Sequence, residues 1–227
     1  DAAVDQAVAD CMASAVSAEP DSAWDLVPDG EVHSFTQGVL TADVDRLFDR
    51  TAELLEQIGK KYPKIMVEQM IVSHVRSHSV YRNTNGACYT KDAGYYNVDL
   101  MFSAHEGQAA SSFFGTGVIT DNLDRPFMEL GSIEKDLADV EKQIHTKTVG
   151  EKFTGVMLLP PGCLGSFLGD IADNFASDGP VLEGTSIWKD KLGEQVADPK
   201  ITVSFAPGDP QVVCGQSYTA EGFLAQD

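Results

Sequence analysis

Apolar residues change their spacing several times along the chain, and each change predicts an element boundary. Residues 2–17 set Val4, Ala7, Val8, Cys11, Met12, Ala15 and Val16 at helical intervals, the pattern of an alanine-rich amphipathic helix. Residues 19–40, punctuated by Pro20, Pro28, Gly30 and Gly38, read as loop. A second helix follows with Thr41 as its expected cap and Pro63 as its stop. Val44, Leu47, Phe48, Leu54, Leu55, Ile58 and Tyr62 form its apolar stripe.

From Ile65 to Gly117 the period becomes two. Val72, His74, Arg76, His78 and Val80 alternate onto one strand face, with Val75 on the other. Asn85-Gly86 suits a type I′ hairpin turn, Cys88 to Ala104 reads as the next strand, and His105-Glu106-Gly107 as another reversal leading to Phe113-Phe114. Three antiparallel strands in a meander are the simplest arrangement. Ser132 then caps a helix whose apolar side is Ile133, Leu137, Val140 and Ile144. The polar stretch 146–152, with Gly150, is the expected domain boundary, dividing the chain into 1–148 and 149–227. Beyond it come a short strand at 156–159, a helix after Pro160-Pro161-Gly162 with Leu164, Phe167, Leu168, Ile171 and Phe175 on its face, and a strand at 201–205. Between the last two, Thr185 or Ser186 can cap a short turn that Gly193 closes in a left-handed conformation.

Composition narrows the function classes. With 35 acidic against 16 basic residues the formal charge is −19, which repels phosphate backbones and anionic membranes and argues against direct nucleic-acid binding. No apolar run is long enough for a membrane span. Cys11, Cys88, Cys163 and Cys214 form no CxxC pair, so free cytoplasmic thiols are expected rather than disulfides or a zinc site.

His74 and His78 have an H-x-x-x-H spacing, yet on a strand they stand about 13 Å apart, too far to share a metal ion. His105-Glu106 lacks the second histidine of an HExxH site, because position 109 is alanine. Cys163 opens a helix, where the dipole favours a thiolate, but a nucleophile also needs a base, and His145 is the nearest histidine in sequence. The acidic residues Asp170, Asp173 and Asp178 do not alternate as calcium ligands do.

Local physics accounts for the shape of the segment after Gly184 but not for its letters. Gly184-Thr185-Ser186, Leu192-Gly193-Glu194 and Val196-Ala197, with Thr219-Ala220-Glu221-Gly222 and the turn Asn83-Thr84-Asn85-Gly86, resemble the TldD/PmbA family, peptidase-related proteins also called modulators of DNA gyrase. The resemblance implies an α+β chain: an incomplete N-terminal domain built as an antiparallel meander packed with helices, then the start of a β-rich, barrel-like C-terminal domain. It also implies the middle portion of a longer protein. Family members pair as two kinds of subunit. One holds zinc through HExxxH, two histidines with a water-activating glutamate; the PmbA (TldE) kind lacks the motif.

Counted back without gaps from Gly184-Thr185-Ser186, the motif register falls on Gly169, Asp170 and Asn174. The resemblance therefore implies a non-catalytic PmbA-like subunit with no metal or catalytic residue of its own, zinc being held only by a catalytic partner. A TldD-like subunit or a second copy of this chain would be the partner, and a peptide the substrate. Thr185, Ser186, Glu194, Glu221 and Gly222 are the residues expected at a peptide or partner surface. Two other classes compete: a protein-binding modulator of gyrase or of a toxin–antitoxin system, and an independent hydrolase using Cys163.

Overall fold

The computed structural model describes residues 2–17, 30–148 and 150–226. Helices and strands are α1 (Ala2–Ser17), β1 (Val32–Gly38), α2 (Val44–Lys61), β2 (Ile65–Arg82), β3 (Cys88–Glu106), β4 (Ala109–Ala110), β5 (Phe114–Thr120), α3 (Ile133–Glu141), α4 (Pro161–Ile171) and α5 (Asp178–Leu182). The class is α+β, as expected.

The meander β2–β3–β5 is present, with β2 antiparallel to β3 over its whole length and β5 antiparallel to residues 96–102 of β3. Two features correct the sequence reading. Val32–Gly38, inside the stretch read as loop, is a strand lying parallel to Cys88–Gly94 on the same edge of β3 that β5 uses further along. The sheet is therefore mixed and five-stranded, counting the two-residue β4. The hairpin after β2 is not a two-residue type I′ turn. Gly86 N–H bonds the Asn83 carbonyl, Gly86 alone is left-handed (φ 88°), and Asn83 Oδ1 accepts from the Asn85 and Ala87 amides.

One strand organises two cores. In the second half of β3, the even residues Tyr96, Val98, Leu100 and Phe102 are buried beneath Leu54 and Ile58 of α2 and Leu137 and Val140 of α3. In its first half the odd residues Tyr89 and Ala93 are buried instead. The register of β3 against β2 shifts only at Glu68, a bulge in β2, so the parity change puts these cores on opposite faces of one sheet. Tyr89 packs with Phe35, Tyr81 and Tyr218, the last from the far end of the chain.

The helices form where expected, with different caps. Asp43, not Thr41, caps α2: its Oδ1 accepts from the Arg46 amide at 3.0 Å. Asp43→Ala is expected to cost about 1 kcal/mol, read as a lower urea midpoint with an unchanged m-value. Ser132 occupies the cap position of α3, but its hydroxyl donates to the Asp136 carboxylate at 2.6 Å instead of accepting a backbone N–H. The single stripe expected on α2 divides in two. Leu54 and Ile58 are buried, while Val44, Phe48 and Leu55 stay exposed. None of the residues of α1 is buried.

Beyond residue 150 the expected strands at 156–159 and 201–205 run as coil without paired neighbours. Val156 and Leu158 are 92% and 89% exposed. A strand exists only through its partner, and these apolar runs have none among the described residues. Among the described residues of this part, the one isolated β-bridge joins Tyr218 to Leu224.

Candidate functional site

Helix α4 carries the register identified in the sequence. Pro161 starts it, where the missing N–H costs nothing. At its end the helix widens: residues 172–176 form a π turn, and the Ser177 amide bonds the Ala172 carbonyl five residues back at 2.9 Å. Such turns recur at functional sites. Gly169 and Asp170 stand just before the π turn and Asn174 within it. A side chain at Gly169 would meet open space. Asp170 is exposed, and the Asn174 side-chain amide donates to the Asp170 carbonyl at 2.7 Å.

Beside this helix is an open cavity of about 550 Å³, lined by Phe167, Ile171, Ala176, Trp188, Val196 and Val203. Trp188 packs against Phe175 at a ring separation of 5.5 Å. Ser186 fixes this arrangement. Almost wholly buried, it donates to the Phe175 carbonyl at 2.6 Å and accepts from the Trp188 amide at 2.9 Å. The polar groups at the cavity, Gln195 and Asp198, bond within their own loop, to the Ala197 carbonyl and the Lys200 amide. The site is an apolar receptacle of a size that suits side chains or a small ligand.

Zinc does not fit these residues. Gly169 offers no ligand, the Asn174 amide is engaged with the backbone, and Asp170 is a lone carboxylate. No group of three histidine, cysteine, aspartate or glutamate side chains among the described residues could hold a metal ion.

The five residues expected at a peptide or partner surface divide between two places, and two of them, Ser186 and Gly222, are buried instead of exposed. Thr185 and Ser186 close the turn after α5, both amides bonding the Pro180 carbonyl, and Glu194 is exposed on the loop that follows Gly193 (φ 81°). Glu221 and Gly222 lie instead on the sheet. The Tyr81 hydroxyl donates to the Glu221 carbonyl at 2.7 Å, and Gly222 is pressed against the Tyr81 ring. They belong to a strap, residues 214–224, that crosses the Tyr89 face. Lys91 Nζ holds the Gly215 carbonyl at 2.7 Å, and Ser79 meets the Tyr218 hydroxyl at 3.2 Å. Nothing in the letters of the polar tail foretold this docking except its two aromatic residues, Tyr218 and Phe223.

The other candidates are accounted for by their partners. His74 bonds the Val39 carbonyl at 2.8 Å and His78 the Asp92 carboxylate at 3.2 Å, both as strand residues. His145 is bound to Glu106 at 2.8 Å, and Lys64 together with His145 holds the Glu106 carboxyl below its usual range. Cys163 is exposed in the first turn of α4, and all four cysteines are free thiols.

Residues 154–227 match the family model described as the PmbA/TldA metallopeptidase C-terminal domain. No curated protein and no solved structure matches the chain. The matched span contains the π-turned helix, the cavity and the strap. Over residues 154–227, about a third of the chain, the protein is therefore similar to the C-terminal domain of PmbA/TldA metallopeptidases.

Proposed function

We propose that this chain is a non-catalytic, PmbA/TldE-like subunit of a cytoplasmic TldD/PmbA complex that degrades or matures peptides beside a zinc-holding, TldD-like subunit. The observation that carries the reading is a contrast between backbone and side chains on one helix. HExxxH places its histidines five residues apart, and five residues of ordinary α-helix turn them about 140° away from each other. A π turn, which closes i→i+5 hydrogen bonds, narrows that divergence. Residues 172–176 make such a turn between and beyond the two ligand positions, but those positions hold Gly169 and Asn174. The π turn widens only the second half of that interval, from Ala172 to Asn174, and Gly169 and Asn174 have no side chain that can ligate there.

The contribution of such a subunit is shape. The apolar cavity beside Trp188 can accept an apolar side chain of an extended peptide. The unpaired runs 153–159 and 201–205, strand-like in their letters, can add to a neighbouring strand.

The test is metal content and peptidase activity of the purified chain, alone and after co-expression with a TldD-like protein. Alone, it is expected to bind substoichiometric zinc and cleave no peptide; the pair is expected to co-purify with zinc and to cleave. Stoichiometric zinc and hydrolysis by this chain alone would sink the reading. Hydrolysis that survives a chelator but is lost on alkylation of Cys163 would replace it with a cysteine hydrolase. Capture of a gyrase subunit with no TldD-like partner would replace it with a modulator.

A further inference from the structure

On the face of the sheet turned away from α2 and α3, β5 leaves a gap. Val98, Leu100 and Phe102 of β3 are buried beneath the helices, so Asp99 and Met101 between them look out on the opposite side. Their neighbours there are Ile71 and Gln69 on β2, and Gly117 and Gly115 on β5. With Phe113, these residues line an open hollow of about 550 Å³. The strap covers this face only at its other end, around Tyr89. The two glycines differ in what they answer to. A Cβ at Gly117 would fall 2.5 Å from the Val98 carbonyl oxygen, so the fold itself requires that glycine. A Cβ at Gly115 would meet nothing within 4 Å, and its φ is not left-handed. Glycine weakens a strand interior and marks places where another group approaches closely. No neighbour in the sheet explains it at 115, and the space its side chain would fill belongs to the hollow.

We propose that this hollow binds an arginine side chain presented by a polypeptide partner. Its charged group is a carboxylate with one oxygen to spare. Asp99 Oδ2 accepts from the Asn97 side-chain amide, and Oδ1 leans over Gly117, 3.1 Å from where a Cβ would stand. Asp99 has no basic partner among the described residues. Around it Ile71, Met101 and Phe113 are 48%, 39% and 68% exposed. Any occupant that covers these apolar groups also takes Asp99 Oδ1 out of water. An apolar or acidic occupant would strand that charge, whereas a cation pairs with it. The dimensions suit arginine. Two residues of strand, from Gly115 to Gly117, span about 7 Å, close to the length of an extended arginine stem. The methylenes then lie over Gly115 against Met101 and Phe113, and the guanidinium donates to Asp99 Oδ1 beside Gly117. A guanidinium is also less strongly hydrated than an ammonium, so it enters an apolar hollow more readily than lysine does. The formal charge of −19 draws basic segments towards the chain from a distance. The hollow lies outside residues 154–227 and uses none of the residues expected at a peptide or partner surface, so the inference stands apart from the subunit reading.

The experiment titrates the full 227-residue chain, labelled for nuclear magnetic resonance, with the probe acetyl-Ala-Arg-Ala-amide, reading the backbone amide shifts of Asp99, Met101 and Gly117. Saturable shifts centred on the hollow are expected, with a dissociation constant of about 1–10 mM for so small a probe. The citrulline counterpart, alike in shape but uncharged, should bind at least about tenfold more weakly, and Asp99→Asn should weaken the arginine probe as much. The lysine counterpart should rank between the two. Gly115→Val should fill the hollow and abolish the shifts while raising the urea midpoint, because a β-branched residue suits a strand better than glycine. Asp45→Asn removes an equal charge from the exposed start of α2 and should leave binding unchanged. Absence of saturable shifts at about 50 mM probe, a concentration well above the expected constant, would overturn the proposal. So would equal binding of the citrulline form, tighter binding of the lysine form, or an undiminished response in folded Gly115→Val. A loss in Asp45→Asn as large as in Asp99→Asn would do the same.

Discussion

Gly94→Ala is expected to destabilise the protein by about 3 kcal/mol or more, although it adds a single methyl group. Gly94 lies on β3 where β1 ends, and the Val39 amide bonds its carbonyl at 2.8 Å as the chain leaves the sheet towards α2. A Cβ there would overlap the Val39 carbonyl oxygen, which is backbone and cannot rotate aside. The added atom must push β1 away from β3 or displace the entry to α2. Because α2 supplies Leu54 and Ile58 to the core, either shift reaches the main hydrophobic cluster. Urea unfolding followed by circular dichroism should show a lower midpoint. Gly169→Ala is the contrasting variant, since a Cβ there meets open space on a helix. It should stabilise by about 0.5–1 kcal/mol. Equal effects at the two glycines would refute the close approach at β1.

Gly222→Val should release the strap. Gly222 has φ 91°, a conformation a β-branched residue adopts only with strain. A Cβ would also fall 2.6 Å from the Tyr81 ring atoms. Strain and overlap together are worth about 3 kcal/mol, enough to raise local opening roughly 100-fold. The readout is hydrogen exchange at Thr219, whose amide bonds the Phe223 carbonyl at 2.7 Å, and at Ala225, whose amide bonds the Ser217 carbonyl at 3.0 Å. Exchange within β2 and β3 should change far less. Tyr81→Phe removes the hydroxyl bond to the Glu221 carbonyl and should cost only about 1 kcal/mol in the same assay. If Gly222→Val left strap protection intact, the docking of residues 214–224 on the sheet would be wrong.

What could be foreseen depended on whether a residue's partner is near in sequence. The meander was legible because β2 and β3 alternate cleanly and adjoin across a short turn. Helices α3 and α4 were legible from the 3.6-residue spacing of Leu137 and Val140, and of Phe167 and Ile171. β1 was not. Its half-buried residues include His33 and Gln37, and its partner Cys88–Gly94 lies more than fifty residues away. Thr41 and Asp43 are both good caps, and only the backbone path selects between them. The converse error arose at 156–159 and 201–205, where strand-like letters have no strand to join.

At the site, the letters of Gly169, Asp170 and Asn174 could be read, but the π turn could not. A widened helix presents nearly the same apolar spacing as a regular one. The grouping of Thr185, Ser186, Glu194, Glu221 and Gly222 followed family letters. Geometry places the first three around the turn after α5 and the last two on Tyr81.

The strap has a consequence for the order of assembly during synthesis. Residues 107–213 separate the end of β3 from the start of the strap, so about 5–20 s of translation pass between them at ordinary elongation rates. Throughout that interval the strands can pair, but the rings of Phe35, Tyr81 and Tyr89 lack the Tyr218 side chain that packs on them when folding is complete. The nascent chain thus presents a sticky aromatic surface for a time fixed by the length of the intervening polypeptide, not by the strength of the sheet. Ribosome-associated chaperones have that window in which to act.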